Sequence, residues 1–176
     1  MKTDTSAAAW PRAIYDAIKK SGIRHIAYVP DAGHTQLIKS CHADKTIKAV
    51  SLTTEEEGVA MLAGSWLGGE RGALLMQSSG AGNCINMLGI IHECRFPMLM
   101  LITMRGEWGE FNPWQLPMGQ STARVLADTG VVVQHVDDAA RVGETTFAAA
   151  QMAFSTNRAV AVLIGQRVVG FKDWSK

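Results

Sequence analysis

Three consecutive acids, Glu55, Glu56 and Glu57, stand directly before the apolar run that opens Gly58-Val59-Ala60-Met61-Leu62. A carboxyl group there serves either a ligand, through proton exchange or hydrogen bonding, or the positive end of a helix, at about 0.3–1 kcal/mol per charge. Adjacent helical positions point about 100° apart, so the three cannot all face one way. Val59, Leu62, Ala63 and Trp66 mark the buried stripe, and Glu55 lies on the side of Val59 and Leu62 by the four- and seven-residue rule. Glu55 is therefore the acid expected to point into the fold, while Glu56 and Glu57 fit helix-start charges.

A second stretch with chemical potential is Met76-Gln77-Ser78-Ser79-Gly80-Ala81-Gly82-Asn83. Its glycines let the polar edge of a ligand approach backbone N–H groups at a helix start. It lacks the third glycine of a dinucleotide fingerprint and the Gly-Lys-Ser/Thr ending of a phosphate loop, and a tight turn with capping serines explains it equally well. Arg105 offers a planar fork for a carboxylate, sulfonate or phosphonate, with an ion pair to Glu107 or Glu110 as the equal alternative. His25, His34, His42, His92 and His135 show no metal-ligand spacing, so no metal site is expected, and only His34 falls on a turn after a strand. Cys84 and His92 are about 12 Å apart along a helix, too far to act as nucleophile and base. Cys84 also lacks the flanking glycines of a nucleophile elbow, which leaves a buried structural thiol.

These residues need elements to position them, and strand and helix signals alternate along the chain. Helices are expected at residues 9–21, 35–40, 53–67, 83–92, 120–129 and 138–155, and strands at 26–29, 47–52, 73–77, 98–103, 131–136 and 159–164. Thr53 or Thr54 caps the third helix, a turn covers 80–83, and a long loop runs from Arg105 to Gln120. Such alternation predicts a three-layer α/β sandwich around a mostly parallel sheet of about six strands. At 176 residues and 47% apolar side chains, the chain suits a single domain with a sizeable core. Its basic and acidic residues nearly balance at 17 and 16, and no basic run occurs, which argues against nucleic-acid or anionic-membrane surfaces. Three cysteines without zinc-type pairing suggest reduced thiols and a cytoplasmic location. The first ten residues lack a secretory apolar region, and no apolar run has membrane-spanning length.

Stretches 55–64 and 76–83, with Asn86, Arg105-Gly106-Glu107 and the turn Val29-Pro30-Asp31, resemble the pyrimidine-binding domain of thiamine-diphosphate-dependent decarboxylases. The likeness is to the alpha subunit of sulfopyruvate decarboxylase and the corresponding half of phosphonopyruvate decarboxylase, and it covers nearly the whole chain. In that family a glutamate nine positions ahead of the helix's Ala-Gly pair contacts the aminopyrimidine, and counting back from Gly64 selects Glu55. The resemblance implies that Glu55 is catalytic, and that Glu55, Gln77, Ser78, Ser79, Gly80 and Asn83 bind thiamine diphosphate. It implies that Asp31, His34 and Arg105 meet a short anionic 2-oxo acid such as 3-sulfopyruvate, converted to an aldehyde and carbon dioxide.

The family holds the diphosphate through magnesium on a Gly-Asp-Gly motif, which this chain lacks. The resemblance thus implies a beta subunit that holds the magnesium, in a hetero-oligomer with at least two copies of each chain; the Met and aromatic side chains of the Trp108 to Met118 loop either help cover the site or pack in the core. Relatives carry Asn-Ser-Gly-Leu-Gly-Asn where this chain has Ser78-Ser79-Gly80-Ala81-Gly82-Asn83, giving a smaller-walled pocket. A phosphonopyruvate-type decarboxylase subunit, a non-catalytic scaffold and a nucleotide-binding module are the alternatives.

Overall fold

The computed structural model describes residues 9–171. The expectation of no secretory leader concerns residues that lie mostly outside this range. Six strands, β1 (Ile23–Tyr28), β2 (Lys48–Ser51), β3 (Arg71–Gln77), β4 (Met98–Thr103), β5 (Val132–Val136) and β6 (Ala159–Ile164), form one sheet in the order β2-β1-β3-β4-β6-β5. Every pairing is parallel. β4 and β6 are buried at every position, as strands covered on both faces must be.

The two-residue period of a strand sends alternate side chains to opposite layers. Ala73, Leu75, Leu99, Leu101, Val160 and Val162 face one core, and Leu74, Met76, Met98, Met100, Ala161 and Leu163 face the other. The first core is closed by α1 (Trp10–Lys20), α2 (Thr35–Ala43) and α7 (Val142–Thr156). The second is closed by α3 (Glu55–Leu67), α4 (Ser78–Cys84), α5 (Leu88–Cys94) and α6 (Leu116–Asp128). A short α8 (Gln166–Val169) follows β6. No described helix is long and apolar enough to cross a membrane.

Three local expectations are corrected. Residues 80–83 are not a turn, because β3 ends at Gln77 and α4 begins at Ser78 with no intervening loop. The helix expected over 83–92 is broken into α4 and α5. Between them Gly89 N bonds to Asn86 O and Ile90 N to Met87 O, the tighter three-residue pattern. Glycines 80, 82 and 89 make this the weakest helical stretch by propensity. The long loop is also shorter than expected, since a 3₁₀ turn at Pro113–Gln115 leads into α6 at Leu116. Pro117 lies in the first turn of α6, where a missing N–H costs no helical hydrogen bond.

Candidate active site

All strands point their carboxyl ends at one edge, and β1 lies between β2 and β3, so the chain leaves β1 on one side and returns on the other. Open α/β sheets form their ligand crevice at this switch. Asp31 just after β1, Gln77 at the end of β3 and Thr103 at the end of β4 meet there. Gln77 Nε2 donates to Asp31 Oδ1 at 2.7 Å and Thr103 Oγ1 donates to Oδ2 at 2.5 Å. Both oxygens of this buried carboxylate are thus satisfied, which offsets its desolvation. His34 lies below the crevice surface, fully buried. Burial lowers its pKa, so the ring is neutral, and its Nε2 lies 3.0 Å from Leu101 O, which assigns the proton to Nε2. Its Nδ1 has no hydrogen-bond partner.

Glu55 is the first residue of α3 and is 8% exposed, with Gly58, Val59, Leu62 and Ala63 buried beside it. Its two neighbours take other roles. Glu57 reaches back to accept from the backbone N–H of Thr53 at 2.8 Å and of Thr54 at 3.4 Å, closing the helix start, while Glu56 is exposed. Trp66, the last member of the stripe, is only half-buried and stacks on Phe154 with ring centroids 6.3 Å apart.

The carboxylate of Glu55 lies across Gly80 in α4, so close that a β-carbon there would sit 2.5 Å from Glu55 Cδ and 2.7 Å from Cγ. Only glycine leaves room for the acid in this position. Asn83, one turn further along α4, donates from Nδ2 to Glu55 Oε2 at 2.8 Å. Glu55 Oε1 accepts no hydrogen bond from the described side chains. The N–H group of a ligand would supply the donor this oxygen lacks. Ser79 is half-buried and Asn86 exposed, and neither side chain makes a hydrogen bond among the described residues.

Arg105 opens the loop after β4. Its backbone N–H donates to Ser78 Oγ at 3.1 Å, which ties the loop to the first residue of α4. The ion-pair alternative for its side chain is realised with Glu110: Nε and Nη2 contact Oε2 and Oε1 at 2.7 and 2.6 Å. Glu110, whose side chain is 1% exposed, also accepts from Gly106 N, Asn112 N and Gln166 Nε2 at 3.1, 3.0 and 3.0 Å. Gln166 was not foreseen. It is buried at the start of α8, and its Oε1 accepts from the backbone N–H groups of Glu107 and Trp108, both at 3.0 Å. No local pattern could reveal it, because its partners lie 56 to 59 residues away.

The Arg105 guanidinium, with the N–H groups around it, holds the Glu110 carboxyl well below its ordinary 4.5, to about 2. A folded-state pKa below the unfolded one adds stability above the unfolded value, and that stability is lost as pH falls through the folded value. Removing this carboxylate should therefore flatten the acid limb of the stability curve between pH 4.5 and about 2. Glu110→Ala strands the arginine and the loop N–H groups. It should cost about 2–3 kcal/mol, seen as a lower Tm at neutral pH. An unchanged Tm and an unchanged acid limb would show that Glu110 is not the hub of the loop.

Cys84 lies behind Glu55, fully buried, and burial with the nearby Glu55 and Glu56 pushes its thiol up to about 12. It stays protonated and serves the core. Cys41, Cys84 and Cys94 are all free thiols.

Comparisons with known proteins identify the family. A family model described as thiamine pyrophosphate enzyme, N-terminal TPP binding domain, matches residues 10–111. Sulfopyruvate decarboxylase subunit alpha of Methanothermobacter thermautotrophicus is 33% identical over 165 residues, 93% of this chain and 97% of that one. The subunit of the same name from Methanococcus maripaludis is 40% identical over 115 residues, 65% of this chain and 69% of its own. Phosphonopyruvate decarboxylase of Streptomyces hygroscopicus is 39% identical over 90 residues, 51% of this chain but 22% of that longer one. In fold, 2-oxoglutarate:ferredoxin oxidoreductase from Magnetococcus marinus matches 91% of this chain and 29% of its own with a TM-score of 0.76 at 18% identity. With more than half its length matched by the family model and a full-length relative at 33% identity, the chain belongs to the thiamine pyrophosphate enzyme N-terminal domain family.

Proposed function

We propose that this chain is a single pyrimidine-binding domain, the alpha subunit of a two-chain, thiamine-diphosphate-dependent 2-oxo acid decarboxylase. The observation that carries the proposal is Glu55, buried against Gly80, held on Oε2 by Asn83 and open on Oε1. A carboxyl group so placed fits the ring nitrogen of an aminopyrimidine, with which Oε1 would share a proton. When bound, thiamine diphosphate supplies the carbon nucleophile and takes up the electrons released with carbon dioxide.

The work of this chain is positioning and proton placement. Asn83 fixes which Glu55 oxygen faces the ligand. Gly80 permits the close approach, and Gln77, Ser78 and Ser79 wall the crevice. Val59 and Leu62 exclude water behind the acid, which strengthens its hydrogen bond to the ring. The substrate is a short 2-oxo acid with an anionic tail, 3-sulfopyruvate in the first instance, since the relative that aligns over 93% of this chain is named a sulfopyruvate decarboxylase subunit. Arg105 meets the tail with its Nη1 edge, because Nε and Nη2 are taken by Glu110. Asp31 faces the same crevice, while His34, fully buried with Nε2 on Leu101 O, supports the strand ends rather than touching substrate.

The diphosphate and its magnesium belong, in this reading, to a beta subunit in an assembly of at least two copies of each chain, a reading supported by relatives named as alpha subunits and by the lack of a Gly-Asp-Gly motif in this sequence. The free thiols favour the cytoplasm. Reconstitution tests the proposal. The chain alone, given thiamine diphosphate, magnesium and 3-sulfopyruvate, should release no carbon dioxide, and adding the partner chain should start turnover. Faster turnover of 3-phosphonopyruvate would move the assignment to the phosphonate substrate, which the same arginine edge fits. Absence of turnover with any 2-oxo acid would leave a scaffold, and tight nucleotide binding by the isolated chain would replace the proposal outright.

A further inference from the structure

At the β5 edge of the sheet, far in strand order from Glu55, three side chains converge that sequence spacing keeps apart. His135 lies on β5, Asp137 follows that strand, and Glu107 hangs from the loop after β4. His135 Nε2 is 3.1 Å from Glu107 Oε1, and its Nδ1 is 3.3 Å from Asp137 Oδ2. Ligand atoms from all three lie within 4.8 Å of one another.

A carboxylate thus stands at each ring nitrogen, and the three groups converge on one small volume at the surface. The carboxylates are also supported independently of the histidine. Glu107 Oε2 accepts from Gln166 N at 3.1 Å, which leaves Oε1 turned toward the ring. Asp137 Oδ1 lies so close over Gly165 that any β-carbon there would overlap it. Both acids are thus braced by the β6–α8 junction, the kind of outer support that orients metal ligands. Arg167 and Trp108 line the same surface pocket of about 230 Å³, and Arg167 is drawn over the Trp108 ring, 4.8 Å from its centroid.

We propose that Glu107, His135 and Asp137 form a binding site for a divalent transition-metal ion such as Mn²⁺, Co²⁺ or Zn²⁺. One imidazole nitrogen and two carboxylate oxygens suit these cations better than magnesium or calcium, which favour all-oxygen sets. The two carboxylates balance the divalent charge, and three protein ligands leave positions for water. A bound ion would clamp the loop that carries Arg105 and Glu110 to the edge strand β5.

The test is a titration of the untagged full chain in a Cys94→Ser background, which removes the exposed thiol as a competing ligand. Mn²⁺ binding is followed by electron paramagnetic resonance and Co²⁺ binding by calorimetry, without magnesium or thiamine diphosphate. One equivalent should bind and raise Tm. His135→Ala and the isosteric Asp137→Asn should each weaken binding by at least about tenfold, while His92→Ala, at the opposite end of the sheet, should leave it unchanged. Absence of binding would overturn the proposal. So would an affinity that Asp137→Asn and His135→Ala leave intact, since these exposed positions can change without unfolding the chain.

Discussion

Glu55→Gln should leave the fold and the association with a partner chain intact and lower 2-oxo acid decarboxylation by about 100- to 10,000-fold, the range for a group that positions or transfers a proton. The structure dictates which way the new amide sits. Asn83 Nδ2 donates to the Oε2 position, so the carbonyl oxygen of glutamine must occupy that place to keep the bond. The amide nitrogen is then left at the Oε1 position, where it presents hydrogens and accepts none. It can neither take a proton from the ring nitrogen nor give one up at neutral pH. Shape and volume are conserved, so stability should change by less than about 1 kcal/mol. Steady-state rates of the reconstituted two-chain enzyme, with thermal melts of the free variant, check both halves. Undiminished turnover would remove Glu55 from the mechanism.

Gly80→Ala should reproduce most of that loss through sterics alone. The added methyl group falls on the Glu55 carboxyl group, with Cδ at 2.5 Å and Cγ at 2.7 Å, so the acid must swing out of its place. Gly80 lies inside α4, where alanine is the better helix former by about 1 kcal/mol. This gain offsets part of the packing cost of about 1–3 kcal/mol. The expected signature is a fall in activity of about 100-fold or more with only a small change in Tm. Because both substitutions disable one group, the double variant Glu55→Gln with Gly80→Ala should be little worse than the poorer single variant. Losses that multiply would show that Gly80 contributes something besides room for Glu55.

Much of the fold was legible because burial on both faces forces an apolar run and burial on one face forces a period. β4 and β6, buried at every residue, stand out as Met98 to Thr103 and Ala159 to Ile164. Glu55 was separable from Glu56 and Glu57 by helical geometry, since a carboxylate four positions before Val59 shares its side of the helix. The errors fell where glycine and proline govern the backbone. Gly80 and Gly82 suggested a turn, yet α4 begins directly at Ser78, because those glycines serve close approach rather than chain reversal. The loop expected over 105–120 is interrupted, since Pro113 and Pro117 both sit at helix starts.

By itself the sequence determined the α/β alternation, the buried acid at the start of α3, the inert Cys84 and the lack of a diphosphate motif. These are properties of residue type at short spacing, where 3.6-residue and two-residue periods constrain what can face inward. Only the tertiary structure decided what each group touches. It chose Glu110 rather than Glu107 for Arg105, placed Gln166 beneath the loop, buried His34 under Asp31, and gathered Glu107, His135 and Asp137 at the edge of the sheet. Parallel strands bring residues together through long crossovers, so partners at the carboxyl edge are dozens of positions apart and no local period relates them.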